Sequence, residues 1–184
     1  MYNPTGGSAL LDVNFIMAKA RIKERMRVAD LGCGTSGHFV FPAAKIVGPH
    51  GLVYAVDILK PSLESIARRA RQENIQNIIT VWSDLEVYRA TKIETESLDV
   101  ALLINTLFHS QKRAEILRES IRMIKRGGYL LVVEWESASS PFGPTPEKRV
   151  KIEQLKNVTQ KLGLKIEEEF DAGEFHYGVL FSKI

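Results

Sequence analysis

Three glycines at a predicted strand-to-helix junction carry the clearest chemical signal in the sequence. Gly32, Gly34 and Gly37 follow the apolar run 27–32, and a helix is predicted over 37–46. Glycine lets a backbone turn tightly and lets a ligand approach without obstruction by a Cβ atom. In this position the GxGxxG spacing is typical of a turn that binds a nucleoside-bearing cofactor.

Three acidic residues near the ends of the first three predicted strands narrow the choice of cofactor. Asp57 ends the second strand, 20 residues beyond Gly37, where it can accept hydrogen bonds from ribose hydroxyls. Asp30 lies two residues before Gly32, where it would repel a pyrophosphate and attract a cationic amino acid group. Asp84 follows the third strand and can accept a hydrogen bond from an adenine amino group. The pattern favours S-adenosylmethionine, which has an ammonium and a sulfonium but no phosphate, over NAD.

Short apolar strands alternate with helical stretches along most of the chain, which is typical of βαβ units and a parallel sheet. The predicted strands are 27–32, 51–57, 77–82, 98–104, 129–134, 164–170 and 176–183. The predicted helices are 37–46, 61–72, 114–124 and 146–162, and Gly127-Gly128 is expected to end the third. Because no helix separates the last two strands, they are expected to form an antiparallel hairpin. The sequence therefore predicts an α/β fold, a three-layer sandwich around a mostly parallel sheet.

Five segments together resemble the class I S-adenosylmethionine-dependent methyltransferases. They are VADLGCGTSG, VYAVD, SDLE, LDVALLINTLFH and KRGGYLLVVEW. The sequence is most similar to the group that includes the ubiquinone/menaquinone-biosynthesis and arsenite methyltransferases. The resemblance extends from residue 28 to residue 184. It implies a Rossmann-like sheet of seven strands with an antiparallel last strand.

The resemblance also implies which residues hold S-adenosyl-L-methionine and its product, S-adenosyl-L-homocysteine. The glycine-rich turn with Asp30 would hold the methionine part, Asp57 with Ile58 the ribose and adenine, and Asn105 the region near the sulfonium. Asp84 with Leu85 would contact the adenine edge. The full set of expected cofactor residues is Asp30, Gly32, Cys33, Gly34, Thr35, Gly37, Asp57, Ile58, Ser83, Asp84, Leu85 and Asn105.

Two histidines are candidates for a catalytic base or substrate contact. His109 follows the fourth predicted strand and His176 begins the last, so both should reach the edge of the sheet where ligands bind. A sulfonium is already an activated leaving group, so much of the barrier can be lowered by positioning alone. A base is needed only if the acceptor is still protonated at neutral pH. No histidine or cysteine cluster has metal-ligand spacing, so no metal site is predicted.

Composition predicts one cytoplasmic domain. The 184 residues carry a net charge of +3, are 45% hydrophobic and include one cysteine, which fits a reducing compartment. No apolar run reaches the ~18 residues of a membrane span. Residues 1–26 are expected to form an N-terminal lid or packing helix, residues 27–184 the methyltransferase domain, and 137–146 a flap.

The acceptor and the partners stay open between several alternatives. A small-molecule acceptor is favoured, with the protein a monomer or homodimer. Five basic residues within 19–27 allow an RNA partner, although a solvated turn leading into the first strand is the favoured interpretation. An RNA or protein methyltransferase is therefore the first alternative. An NAD(P)-dependent reductase and a cofactor-binding protein without catalysis are the others.

Overall fold

Strands and helices alternate through most of the chain in the computed structural model, which describes residues 10–136 and 143–184. The strands are β1 (Arg27–Leu31), β2 (Leu52–Asp57), β3 (Ile78–Trp82), β4 (Leu98–Ile104), β5 (Ile124–Trp135), β6 (Leu164–Asp171) and β7 (His176–Lys183). The α-helices are α1 (Val13–Lys19), α2 (Val40–Val47), α3 (Lys60–Gln72), α4 (Arg113–Met123) and α5 (Ile152–Lys161). Short 3-10 turns lie at Leu107–His109 and Pro146–Lys148.

All seven strands form one sheet in the order β3-β2-β1-β4-β5-β7-β6. The five strands from β3 to β5 pair in parallel, and β7 runs antiparallel to both of its neighbours. This confirms the predicted Rossmann-like sheet with an antiparallel last strand. The strand order reverses between β1 and β4, and ligands of open α/β sheets bind at such a point beyond the carboxyl ends of the strands.

Apolar side chains cover both faces of the sheet. On one face, α1, α2 and α3 pack residues such as Ile16, Val40 and Ile66 against it. On the other face, α4 and α5 contribute residues such as Leu117 and Leu155. These helices make the sheet the middle of three layers, as predicted.

The predicted helix over 146–162 is wrong in its first part. After the 3-10 turn, Arg149 and Lys151 have extended backbones, and α5 begins only at Ile152. Val150 is buried between them, and its carbonyl accepts a hydrogen bond of 2.8 Å from the Tyr177 hydroxyl. This tertiary contact interrupts the helix.

Two other element boundaries differ from the prediction. The helix α4 ends before the glycine pair, because Ile124 already pairs with Leu98 as the first residue of β5. The helix α2 starts at Val40 rather than at Gly37, whose φ of +58° is left-handed. A left-handed residue does not belong to a right-handed helix, so the glycine-rich turn extends further than predicted.

A buried ion pair holds the helix-free connection between β3 and β4. Glu119 accepts hydrogen bonds from the backbone N–H groups of Arg89 at 2.7 Å and Thr91 at 3.0 Å. It also accepts two bonds of 2.9 Å from Arg122, which donates onward to the carbonyls of Thr91 and Ile93. The pair thus fixes this connection to α4.

The basic stretch 19–27 contacts the domain itself. Lys19 pairs with Glu168, Arg21 contacts the Tyr129 hydroxyl at 3.3 Å, and Arg27 donates to the Tyr54 hydroxyl at 2.6 Å. Three of its five cations therefore have partners within the chain.

The expected lid and flap are only partly covered by the structure. Residues 1–9 and 137–142 lie outside the described part of the chain. The helix α1 buries Ile16 and Met17 in the core, as a packing helix would. In the described ranges, no helix combines the length and the apolar character that crossing a membrane requires.

Candidate active site

A cavity of about 1020 Å³ lies beyond the carboxyl ends of β1, β2, β3 and β4. Eleven of the twelve residues predicted to bind the cofactor line it. They are Asp30, Gly32, Cys33, Gly34, Thr35, Asp57, Ile58, Ser83, Asp84, Leu85 and Asn105. Gly37 is not among the lining residues. A Cβ atom at this position would lie 2.9 Å from the Phe41 ring, so Gly37 allows the turn to pack closely against α2. The contact of each residue with the cofactor stays a prediction.

Hydrogen bonds between β1 and β2 shape the glycine-rich turn. The Asp57 carboxylate accepts from Gly34 N at 2.9 Å and from Leu59 N at 2.8 Å, one bond on each oxygen. The carbonyl of Val56 accepts from both Gly32 N and Cys33 N. The sequence did not predict that Asp57 positions the turn as well as facing the cavity.

The two cavity glycines are required for different reasons. Gly32 has a φ of +86°, and a Cβ there would lie 2.7 Å from Thr106 Oγ1. Gly34 has a φ of +63°, and a Cβ there would meet no atom within 4 Å. The space beside Gly34 is cavity, so a side chain would occupy room that a ligand can use.

Asp30 is buried, and one of its carboxylate oxygens, Oδ2, has no hydrogen-bond partner in the ranges 10–136 and 143–184. Burial, and then the charge of Asp57, raises its pKa from 3.8 to about 7. A cation placed beside this oxygen would lower the pKa again and restore the ionised form. The arrangement fits the positively charged methionine end of S-adenosylmethionine.

The segment after β4 brings a second polar group to the cavity. Asn105 has a left-handed φ of +53°, is 6% exposed, and has no partner for either side-chain amide atom. Its backbone N–H donates to the carbonyl of Val133 on β5 at 2.9 Å. An unpartnered buried amide at a cavity wall is available to a ligand.

The two candidate histidines lie in different places. His109 lines the cavity, and burial, together with the charge of Lys148, lowers its pKa against an opposing effect of Asp57. His176 is not among the lining residues and packs on Trp135 with ring centroids 4.2 Å apart. Burial, then the charge of Arg149, lowers its pKa to about 4.

Several cavity residues were not predicted as functional. His38, Ser62, Glu86 and Ser110 line the cavity, and Nε2 of His38 has no hydrogen-bond partner. Their common signal is position: each follows the carboxyl end of a parallel strand. The residues that the structure describes contain no group of three metal-ligating side chains close enough to hold an ion.

Comparison with known proteins decides the family. Residues 22–162 match the sequence model of a family described as a methyltransferase domain. The chain belongs to this methyltransferase domain family. The resemblance inferred from the sequence is thereby confirmed, and with it S-adenosyl-L-methionine as the cofactor of the family.

The methyltransferase domain has curated relatives of several activities. It is 28% identical over 138 residues to demethylmenaquinone methyltransferase from Lactococcus lactis, covering 75% of this chain and 52% of that protein. It is 28% identical over 155 residues to the S-adenosyl-L-methionine-dependent Diels-Alderase iccD from Talaromyces variabilis, covering 84% of this chain and 51% of that protein. The chain thus spans about half the length of these relatives.

The fold of the methyltransferase domain matches a solved structure over nearly its whole length. A crystal structure of a SAM-dependent methyltransferase from Aquifex aeolicus superposes with a TM-score of 0.86 at 20% identity. The match covers 99% of this chain and 94% of that one. At this identity the likeness establishes the class I fold.

Proposed function

We propose that the protein transfers a methyl group from S-adenosyl-L-methionine to a small-molecule acceptor. The observation that carries the proposal is that three carboxylates, Asp30, Asp57 and Asp84, line the cavity. Because Asp30 has a buried oxygen without a partner among the described residues, the cavity favours a ligand that brings a positive charge.

The residues divide the cofactor between them. Backbone groups of Gly32 and Gly34 would hold the methionine part, with the Asp30 carboxylate beside its ammonium. Asp57 would accept from the ribose hydroxyls, because one of its oxygens accepts only Gly34 N and the other only Leu59 N among the described residues. Asp84 would face the adenine amino group, since its Oδ1 accepts only Glu86 N at 2.9 Å.

When bound, the cofactor supplies a methyl group on a sulfonium, an activated electrophile. The protein must place the acceptor in line with it and remove a proton if the acceptor carries one. We assign the removal of the acceptor's proton to His109, because it lines the cavity and its lowered pKa leaves the imidazole neutral at pH 7. His176 is not given this role, because it lies packed against Trp135 rather than on the cavity wall.

The charge of the cavity supports a neutral or cationic acceptor. Among the described residues that line it, none is a lysine or an arginine. Residues 1–9 and 137–142 contain neither residue type in the sequence, so they add no such cation. A phosphate-bearing ligand would therefore face carboxylates without a matching cation.

The same charge distribution weighs against the alternatives. RNA binding relies on cations that neutralise phosphates, and three of the five cations in 19–27 have partners within the chain. A dinucleotide would place a pyrophosphate near Asp30. The names of the curated relatives, a quinone-pathway and a sterol methyltransferase among them, also support a small-molecule acceptor. Cytoplasmic location and the monomer or homodimer state stay predictions from the sequence.

The test is transfer of a labelled methyl group. The purified protein is incubated with methyl-tritiated S-adenosylmethionine and three acceptor sets: quinols and sterols, small amines and phenols, and bulk RNA. We expect label in a small-molecule fraction and none in RNA, and no transfer by a Gly34→Val variant. Label in RNA, or cofactor binding without transfer to any set, would contradict the proposal.

A further inference from the structure

The segment that follows β4 is held by a carboxyl group from the neighbouring strand. Glu134, near the end of β5, has no exposed surface, and its Oε1 accepts the backbone N–H of Leu107 at 2.6 Å. The N–H groups of Thr106 and Phe108 also act on this carboxyl group. The Leu107 amide is therefore hydrogen-bonded to the buried carboxyl group, and the two amides beside it favour the ionised form of that group.

This turn lies between two residues of the cavity wall. Asn105 precedes it and His109 ends it, and both line the cavity. The β4–β5 register pairs Ile104, the last residue of β4, with Val133, so Asn105 directly after β4 lies beside Glu134 on β5. Any shift of the turn would therefore move the cavity wall on both sides of Leu107.

Glu134 has further hydrogen-bonding capacity that the fold does not use. Among the described residues, its Oε2 has no partner, and neither does the side-chain amide of neighbouring Asn105. A buried acid that served only to stabilise the fold would be expected to have both oxygens satisfied. The arrangement instead leaves buried, unpaired polar atoms next to the cavity residue Asn105.

The charged groups around Glu134 come from two packed elements. Arg113 on α4 favours its ionised form, and Tyr177 on β7 has a pKa that burial and then the charge of Glu134 raise. Burial dominates for Glu134 itself and raises its pKa to about 8, against the effect of the three amides and Arg113. The carboxyl group is therefore mostly neutral at pH 7 and ionises just above it.

We propose that Glu134 is a positioning residue, which sets the place of Asn105 and His109 at the cavity through the Leu107 amide. The inference rests on the proposed function, since it gives that cavity its geometry for binding and transfer. Displacements of about 1 Å at such a wall cost about 100-fold in rate, so a fixed turn matters for activity.

The first test follows the Leu107 amide proton by NMR as the pH rises from 6.5 to 9.5. We expect its chemical shift to titrate near pH 8 in the native protein and in Glu136→Gln, a control two residues further along the chain, just past the end of β5. In Glu134→Gln the titration should disappear, because the amide side chain does not ionise. An unchanged titration in Glu134→Gln would overturn the assignment, as would a native Leu107 signal that does not respond to pH.

The second test measures binding of S-adenosyl-L-homocysteine by calorimetry. Glu134→Gln retains a carbonyl acceptor for Leu107 and should bind within about threefold of the native protein at pH 6.5. Glu134→Met removes the acceptor and should bind about tenfold more weakly, while circular dichroism shows whether it is folded. Equal affinity of a folded Glu134→Met and the native protein would contradict the positioning role.

These outcomes separate the inference from the proposed function. The amide titration needs neither cofactor nor acceptor, so it tests the contact between Glu134 and the Leu107 amide even if no methyl transfer is found. If the native protein fails to bind S-adenosyl-L-homocysteine, the cofactor assignment is wrong. The Leu107 titration still tests whether Glu134 holds the turn.

Discussion

Two glutamates, Glu119 and Glu134, have no exposed surface, yet their surroundings are opposite. Glu119 accepts two hydrogen bonds from Arg122 and two from backbone amides. Burial raises its pKa, but these hydrogen bonds prevail and the pKa is lowered. Glu134 accepts from Leu107 N, keeps one oxygen without a partner, and has a pKa raised to about 8.

The difference separates an acid whose hydrogen bonds are all made within the fold from acids at the cavity end of the sheet that keep an unused acceptor oxygen among the described residues. Asp30 belongs with Glu134, because its Oδ2 has no partner and it lies at the same edge of the sheet. Asp99, at the opposite edge, accepts from Arg27 N at 2.7 Å and pairs with Lys125 at 2.5 Å. Unpartnered carboxylates thus occur at the carboxyl ends of the strands, where the cavity lies.

The largest effect on stability is expected from breaking the buried ion pair between Glu119 and Arg122. Arg122→Leu leaves the Glu119 carboxylate buried without its cation and should lower the free energy of unfolding by about 3–5 kcal/mol. Urea unfolding measures it. Arg118→Leu, at an exposed position of the same helix, should change stability by about 0.5 kcal/mol or less. Equal effects of the two substitutions would remove the distinction between the two kinds of acid.

Filling the cavity beside Gly34 should abolish binding of the cofactor product while the protein still folds. Gly34→Val places a branched side chain in the space beside the turn, so we expect no detectable binding of S-adenosyl-L-homocysteine by calorimetry. Gly127→Val is the matched control, because Gly127 also has a positive φ, +73°, and open space around its Cβ. The control should carry similar backbone strain and bind normally. Retained binding by folded Gly34→Val would contradict the position of the ligand.

Neutralising Asp30 should affect stability and binding in opposite directions. A carboxyl group with a raised folded-state pKa holds its proton more tightly than in the unfolded chain, so native stability falls as the pH rises from about 4 to about 7. Asp30→Asn removes this loss and should stabilise the ligand-free protein at pH 8 by on the order of 2 kcal/mol.

The same Asp30→Asn change should weaken S-adenosyl-L-homocysteine about 10- to 100-fold, because a charged hydrogen bond is lost. Thermal unfolding at pH 5 and pH 8, with calorimetry at pH 8, measures both effects. Destabilisation at pH 8 with unchanged affinity would place Asp30 with Glu119 as a structural acid.

The smallest effect on affinity is expected at His109. If it takes a proton from the acceptor, His109→Ala should reduce turnover more than it weakens S-adenosyl-L-homocysteine. His50→Ala, at an exposed turn outside the cavity, should change neither quantity. Weaker binding with unchanged turnover would make His109 a binding residue.

The sequence predicted the mostly parallel sheet with its antiparallel last strand and eleven of the residues that line the cavity, but not the Glu119–Arg122 pair. The glycine spacing, Asp30, Asp57 and Asp84 are local signals, because each lies at or directly after a strand whose pattern is readable. The Glu134–Leu107 contact joins residues 27 positions apart, and the Tyr177–Val150 contact that interrupts the predicted helix is equally distant in sequence. Such contacts depend on strand register and packing, which hydrophobic periodicity does not specify.

The most direct measurement is a calorimetric titration of the purified protein with S-adenosyl-L-homocysteine, with NADH titrated in parallel. We expect micromolar affinity for S-adenosyl-L-homocysteine and no heat from NADH, because the cavity presents carboxylates to its ligand. Binding of NADH, or of neither compound, would show that the unpartnered acids at this edge of the sheet do not form a site for S-adenosylmethionine.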